Sequence, residues 1–381
     1  MGIAADLFHS SDPDRETLHR RITPTDDQQT AQQERWNDLA DFLKARLKND
    51  TGCSMRTWLQ GSYKFGTQIR PHNAHAQFDI DLGLYFEWEG EPEDGDYEPK
   101  ELKALVQDAL LDYHSDAEND ATGVEDPKER CNRITFAPDF HIDVPCYHLD
   151  VERDARALAT ETLGWEGSDP KAIYVWLKDE QKDQALRTKV RRQVRYLKMW
   201  AALTFAEGSR PSSILLTVLV ADAVREMELV SIDDADLFEN IAAVVHARLA
   251  DVSDVPNPVD ADEDLNRLSD EEHAEFVAQL ETLVDVAARG TVSAAGEAKL
   301  RLDGLDCAQV ARLLRDARRL CRRSPALVTV SDDRMKEPGE DRIQLQVAGG
   351  DQRVVEEDDL VDPGLQRHAA LRRLRRALRR P

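Results

Sequence analysis

Long apolar runs are missing from this chain. No stretch approaches the roughly 20 apolar residues that cross a bilayer, and the opening MGIAADLFHS has neither the basic nor the apolar block of a secretion signal. A cytoplasmic protein with no membrane role is expected. Cysteine is scarce: five in 381 residues, an odd number with no CxxC pair, which argues for reduced, buried thiols rather than a disulfide framework or a zinc site. His72 and His75 stand in PHNAH without the HExxH spacing of a zinc hydrolase. Positive charge is also in deficit, with 50 Lys and Arg against 74 Asp and Glu and a net charge of −24. That balance excludes a protein that holds a long nucleic acid mainly through its phosphates. Small nucleotides stay open, because a few local cations and Mg²⁺ neutralise one triphosphate. Glycine (18) and proline (16) are few beside 41% apolar and 33% charged residues, the balance of a helix-rich soluble protein. The length implies two packed domains, or one core with a helical annex.

What is present falls into clear periodic segments. The first ~28 residues are polar and irregular. Trp36, Leu39, Leu43 and Leu47 then recur at helical spacing within QERWNDLADFLKARLKND. TWLQ reads as a strand leading into GSYKFGT, and Phe78 to Phe86 alternates apolar with polar or small residues, which places Asp79 and Asp81 on one face of a strand. After the acidic loop EWEGEPEDGDYEPK comes a helix through Leu102, Leu105, Val106 and Leu110, then strands at RITF and at Phe140–Val144. Asp143 must face away from Phe140, Ile142 and Val144. Ser168-Asp169-Pro170 opens a helix, and a basic helix runs from Gln184 to about Phe205. Further helices are expected over Pro211 to Met227, 233–249, after the Ser269/Glu272 capping pair, and near 306–322, with DVPNPVDADEDLNRL as a loop among them. LVTV and RIQLQV are β-like. The closing LQRHAALRRLRRALRRP is a basic amphipathic pattern that suits a helix packed on the acidic body of its own chain, a partner contact, or weak binding to nucleic acid or membrane.

Chemistry concentrates in Gly61-Ser62, Asp79-x-Asp81 and the later Asp143. Joining nucleotides needs in-line attack of a hydroxyl on an α-phosphate between two hard cations about 3.5–4 Å apart. Neighbouring carboxylates at i and i+2 of a strand suit both cations, and a third on an adjacent strand completes the one that activates the hydroxyl. A Gly-Ser turn offers N–H groups and a hydroxyl to donor phosphates.

Gly61-Ser62-Tyr63-x-x-x-Thr67 with Phe78-Asp79-Ile80-Asp81 resembles the signature of polymerase-β-type nucleotidyltransferases, in the variant of the bacterial cGAS/DncV-like enzymes (CD-NTases). The resemblance continues through His141 to Pro145, Ser168 to Lys171, Arg195 to Trp200 and Pro211-Ser212-Ser213, over about residues 55–220 and closest to the DncV-like subgroup. It implies an α/β (α+β) polymerase-β-like nucleotidyltransferase core packed on a helical domain, with the active site in the cleft between. The expected parts are 30–205 (core with N-terminal helix), 206–325 (helical domain) and 326–381 (β-like segment and basic helix). It further implies a cyclic di- or trinucleotide synthase of a CBASS antiphage system. Such an enzyme uses ATP- and GTP-type triphosphates with two Mg²⁺ ions, replaceable by Mn²⁺. Its product activates a downstream effector, with regulatory partner proteins and no DNA template. By the same resemblance Asp79, Asp81 and Asp143 bind metal and are catalytic. Gly61 and Ser62 hold the donor triphosphate, Lys198 with Ser212 and Ser213 contacts its phosphates or ribose, and Gln60 and Arg133 recognise the acceptor. Ser213 also suits a cap for the helix after Pro211. RNA tailing and nucleotidylation of a protein or small molecule are alternative activities of the same fold.

Overall fold

The computed structural model describes residues 7–291, apart from 74–75, 138–139, 226 and 228, together with 343–344 and 354–355. The chain divides into two units, 1–324 and 325–381. Of the second, the antiparallel pair Ile343–Gln344 with Val354–Val355 is described. It overlaps the β-like RIQLQV, whereas LVTV, the helix expected near 306–322 and the basic tail lie outside the described residues.

In the first unit a short helix α1 (Leu18–Ile22) precedes α2 (Asp26–Thr51). Helix α2 begins well before its apolar repeat. A capping box between Thr25 and Gln28 satisfies the first-turn N–H groups there, and Gly52 ends the helix at φ 71°. The expected irregular start to residue ~28 is therefore partly helical. Next come β1 (Ser54–Gln60), the single turn α3 (Gly61–Lys64), β2 (Phe78–Glu87) and α4 (Pro99–Ser115). Six short strands follow: β3 (Ala121–Val124), β4 (Asn132–Phe136), β5 (Phe140–Val144), β6 (Cys146–Asp150), β7 (Ala155–Ala159) and β8 (Trp165–Gly167).

Strand β2 is the axis of the sheet. Strand β1 runs antiparallel along one edge, from Ser54↔Glu87 to Gln60↔Asp81. Along the other edge β5 and then β6 run parallel, from Phe78↔Phe140 to Asp81↔Asp143 and from Leu84↔Cys146 to Glu87↔Leu149. The register is unchanged across the gap, so β5 and β6 are in effect one strand interrupted at Pro145, which has no N–H to give. Its carbonyl still accepts from Leu84 N at 2.9 Å. Strands β4 and β7 pair antiparallel with β5 and β6 respectively. One face of the sheet, with Ile80, Leu82, Leu84, Phe86, Ile142 and Val144, packs on Leu39, Leu43 and Leu47 of α2 and on Leu102, Val106 and Leu110 of α4. Burying each such leucine contributes about 1.5–3 kcal/mol.

A second core is helical. It is built from α6 (Gln184–Thr204), α7 (Ser213–Val224), α8 (Asp234–Asp251) and α9 (Asp270–Thr291). Helix α5 (Pro170–Glu180), capped by Asp169, packs Tyr174 and Leu177 with Phe65 beside the sheet. Between α8 and α9 the expected loop contains a small hairpin, β9 (Pro256–Asn257) with β10 (Asp260–Asp264), whose register shifts between Asp260 and Asp264. Its prolines and run of acids hide it from a strand pattern. No described helix is long and apolar enough to cross a membrane.

Candidate active site

Four strands deliver one row of polar side chains to the face of the sheet opposite α2 and α4. Gln60 of β1 pairs with Asp81 of β2, Asp81 with Asp143 of β5, and Asp143 with Arg133 of β4. One step along, Asp79 stands beside His141 and His141 beside Thr135. The two-residue period of a strand puts Asp79 with Asp81, and His141 with Asp143, on the same side. Ligand atoms of Asp79, His141 and Asp143 lie within 4.8 Å of one another. Asp81 completes the acidic group from the α3 side: a Cβ on Gly61 would overlap its Oδ2, and Gly61 has φ 58°. Glycine is thus required twice over there, for the left-handed backbone and for the close approach.

The charges of the row are strongly interdependent. Burial and the neighbouring Asp79 and Asp143 carboxylates push the Asp81 carboxyl well above the usual range. The walls of the site oppose ionisation of Asp79 as well, although its side chain is 51% exposed. His141, Arg133 and Lys198 outweigh that effect and hold its carboxyl below the usual range. His141 Nε2 lies 2.9 Å from Asp79 Oδ1 but off the hydrogen-bonding direction, while its Nδ1 meets Gln77 Oε1 at 2.9 Å. Arg133 grips Asp143 with two hydrogen bonds, Nε to Oδ1 at 2.5 Å and Nη2 to Oδ2 at 2.7 Å. Each oxygen keeps a lone pair for another partner. An acidic cluster in which one carboxyl is driven towards protonation by two others suits hard divalent cations, and the oxygen-rich donor set fits Mg²⁺ or Mn²⁺.

The other expected site residues are placed as follows. Gln60 is buried, donates from Nε2 to Tyr85 Oη at 2.9 Å and accepts from Tyr147 Oη at 3.1 Å. The two tyrosine rings stack at 4.6 Å. Its amide lies across Gly83, where a Cβ would collide with Nε2. Ser62 lies in the first turn of α3, its carbonyl accepting from Thr67 N at 2.9 Å. Lys198 is buried, donates to the Thr67 carbonyl at 3.1 Å and is electrostatically coupled to Asp79 and Asp81. Ser212, not Ser213, caps α7, its Oγ accepting from Leu215 N at 3.3 Å. Proline 211 precedes the helix, which spans 213–224 rather than 211–227. Among the described residues neither serine hydrogen-bonds to the carboxylate row. His141 and Gln68 were not singled out by residue pattern. Alternation along β5 would have put His141 on the face of Asp143, whereas nothing local marks Gln68, whose Nε2 donates to the Asp79 carbonyl at 3.1 Å.

Residues 55–147 match the family model for the nucleotidyltransferase domain of DncV-like cyclic GMP-AMP synthases. That span holds the whole row, from Gln60 to Asp143. Over those residues the chain is similar to a DncV-like nucleotidyltransferase domain. A cyclic GMP-AMP synthase of Escherichia albertii is 31% identical over 257 residues, covering 67% of this chain and 56% of that protein. A c-di-GMP synthase of Roseivirga ehrenbergii is 23% identical over 264 residues, covering 61% and 66%. The chain spans about half the length of most of the curated relatives it matches. The DncV-like fold extends beyond the matched domain: the 3'-deoxy GTP-bound structure of Escherichia coli DncV superposes with a TM-score of 0.63 at 20% identity, over 82% of this chain and 95% of that one.

Proposed function

We propose that this protein is a template-independent nucleotidyltransferase that makes a cyclic di- or trinucleotide from ATP- and GTP-type triphosphates. The observation that carries the reading is the single face on which Asp79, Asp81 and Asp143 meet. Two Mg²⁺ ions, when bound, would supply neutralisation of the triphosphate and acidification of the attacking hydroxyl. Asp79 and Asp81 are suited to hold the ion on the donor side, and Asp143 to complete the one facing the acceptor. Gly61 and Ser62 border the donor phosphates, and Lys198 adds a cation beside Asp79 and Asp81. Arg133 and Gln60 flank the row at its two ends, where an acceptor would lie.

The relatives named as cyclic GMP-AMP and c-di-GMP synthases support a cyclic dinucleotide product. Cytoplasmic antiphage signalling through an effector, with regulatory partner proteins, is the setting we propose for it. We also propose the division into 30–205, 206–325 and 326–381, in which α6 closes the first part while packing on the helices of the second, with Ser212 and Ser213 brought to the donor from the helical part. The test is incubation with all four triphosphates and Mg²⁺ or Mn²⁺, with products identified by mass spectrometry and nuclease digestion. Cyclic products that vanish in Asp81→Asn bear the reading out. Linear tailing, or transfer to a protein, overturns it.

A further inference from the structure

The carboxylate row is tied to the helical core through two consecutive residues after α3. From α6, Lys198 Nζ donates to the carbonyl of Thr67 at 3.1 Å and Arg195 Nε to the carbonyl of Gln68 at 3.2 Å. From the same point the buried Gln68 side chain turns to the sheet, and its Nε2 donates to the carbonyl of Asp79 at 3.1 Å. Pairing with β1 stops at Gln60↔Asp81, so Asp79 has a strand neighbour on the β5 side alone. The Gln68 amide thus partners a carbonyl beyond the end of β1.

We infer that Gln68 is a positioning residue that fixes Asp79 of the sheet against Lys198 of α6, so that carboxylate and ammonium address the same triphosphate. The inference deepens the nucleotidyltransferase reading and rests on it for its consequence in turnover. Its structural content is separate. Asp79 sits at the free end of β2, where one strand edge is open, and the side chain of Gln68 stands between that end and the helix that carries the site's lysine. Arg195 holds the Gln68 main chain while the Gln68 amide holds Asp79, so the link has a grip at each end. Ligands set to a fraction of an ångström depend on such supporting contacts.

The test is Gln68→Met, which keeps length and apolar volume but has no donor. Hydrogen exchange over 78–82, Mn²⁺ affinity from the free-ion paramagnetic signal, and steady-state kinetics are read together with the melting temperature. We expect exchange over 78–82 to quicken at least about tenfold, Mn²⁺ affinity to weaken about 3- to 30-fold, and KM for triphosphate to rise more than kcat falls, as for a lost second contact to a metal ligand. Arg195→Gln, which releases the other end of the link, should move the same quantities in the same direction and serves if Gln68→Met does not fold. Wild-type exchange and Mn²⁺ affinity in the folded variants overturn the inference. So does a lowered melting temperature with Mn²⁺ affinity and KM unchanged, the mark of a purely structural role. If wild type itself makes no product, the nucleotidyltransferase reading fails, while exchange and Mn²⁺ binding still decide for or against Gln68.

Discussion

Lys198 sits where burial and two carboxylates act on its proton in opposite directions. Burial of the ammonium is the larger effect, Asp79 and Asp81 oppose it, Arg195 adds to it, and the result is a pKa lowered to about 8 from 10.5. Because the folded value lies below the unfolded one, the fold bears the cost of a buried cation at pH below about 8, and stability is gained as pH rises from there towards 10.5. A bound triphosphate reverses the preference by favouring the ammonium. Binding between pH 8 and 9.5 should therefore take up a proton, and affinity for metal-free ATP should fall by up to about tenfold per pH unit above 8. Calorimetry in EDTA, in buffers of different ionisation heat, reads both quantities. The slope should vanish in Lys198→Met; an equal slope in the variant would assign the proton to another group.

Among the elements, α6 carries the heaviest electrostatic commitment outside the active row. Arg192 meets Asp234, the first residue of α8, with hydrogen bonds of 2.6 and 2.7 Å, and Tyr196 Oη adds a third to the same carboxylate at 2.9 Å. The side chains are 11% and 4% exposed. Asp234→Asn leaves the guanidinium buried without its counter-charge, which costs about 3–5 kcal/mol and should lower Tm by roughly 5–15 °C. Burial works against ionisation of Asp234, but Arg192 and Tyr196 prevail and its carboxyl is depressed. The pair's stabilisation is thus complete above the unfolded value near 3.9 and is lost as pH falls through the folded one. Scanning calorimetry should show the gap between wild type and Asp234→Asn narrowing below pH ~4; a gap independent of pH would remove the charge from the explanation. This pair was not legible in the sequence, because its members lie 42 positions apart. Strands β2, β4 and β5 were legible, since one buried and one polar face write an alternation into them, and with them came the three aspartates. Strand β6 was not: it is buried on both faces, as β5 is, but CYHLD, unlike FHIDV, shows no apolar–polar alternation. The seat of Gln60 between two tyrosines likewise depends on β6, which brings Tyr147 alongside Tyr85.

At the scale of the whole molecule, charge decides what can be held. A net charge of −24 repels any long polyanion, and a protein that grips DNA through 6–10 phosphates needs as many free cations. Near the row the described cations already have partners: Arg133 is on Asp143, Lys198 on the Thr67 carbonyl and Arg195 on the Gln68 carbonyl. A triphosphate would make a smaller demand, because divalent ions held by the carboxylates would carry most of the neutralisation and Lys198 would add a single charge. Product should therefore form from free triphosphates alone, and added DNA or RNA should leave the rate within roughly twofold. Turnover should also lose far less between 50 and 200 mM salt than the ~10³–10⁵-fold seen where many phosphates are bound. Rates measured with and without nuclease-treated protein, with duplex DNA and with single-stranded RNA, across that salt range, provide the check. A strict requirement for nucleic acid, or a steep salt dependence, would mean that a basic surface takes part, and the arginine-rich stretch after residue 364 would then be the first segment to delete.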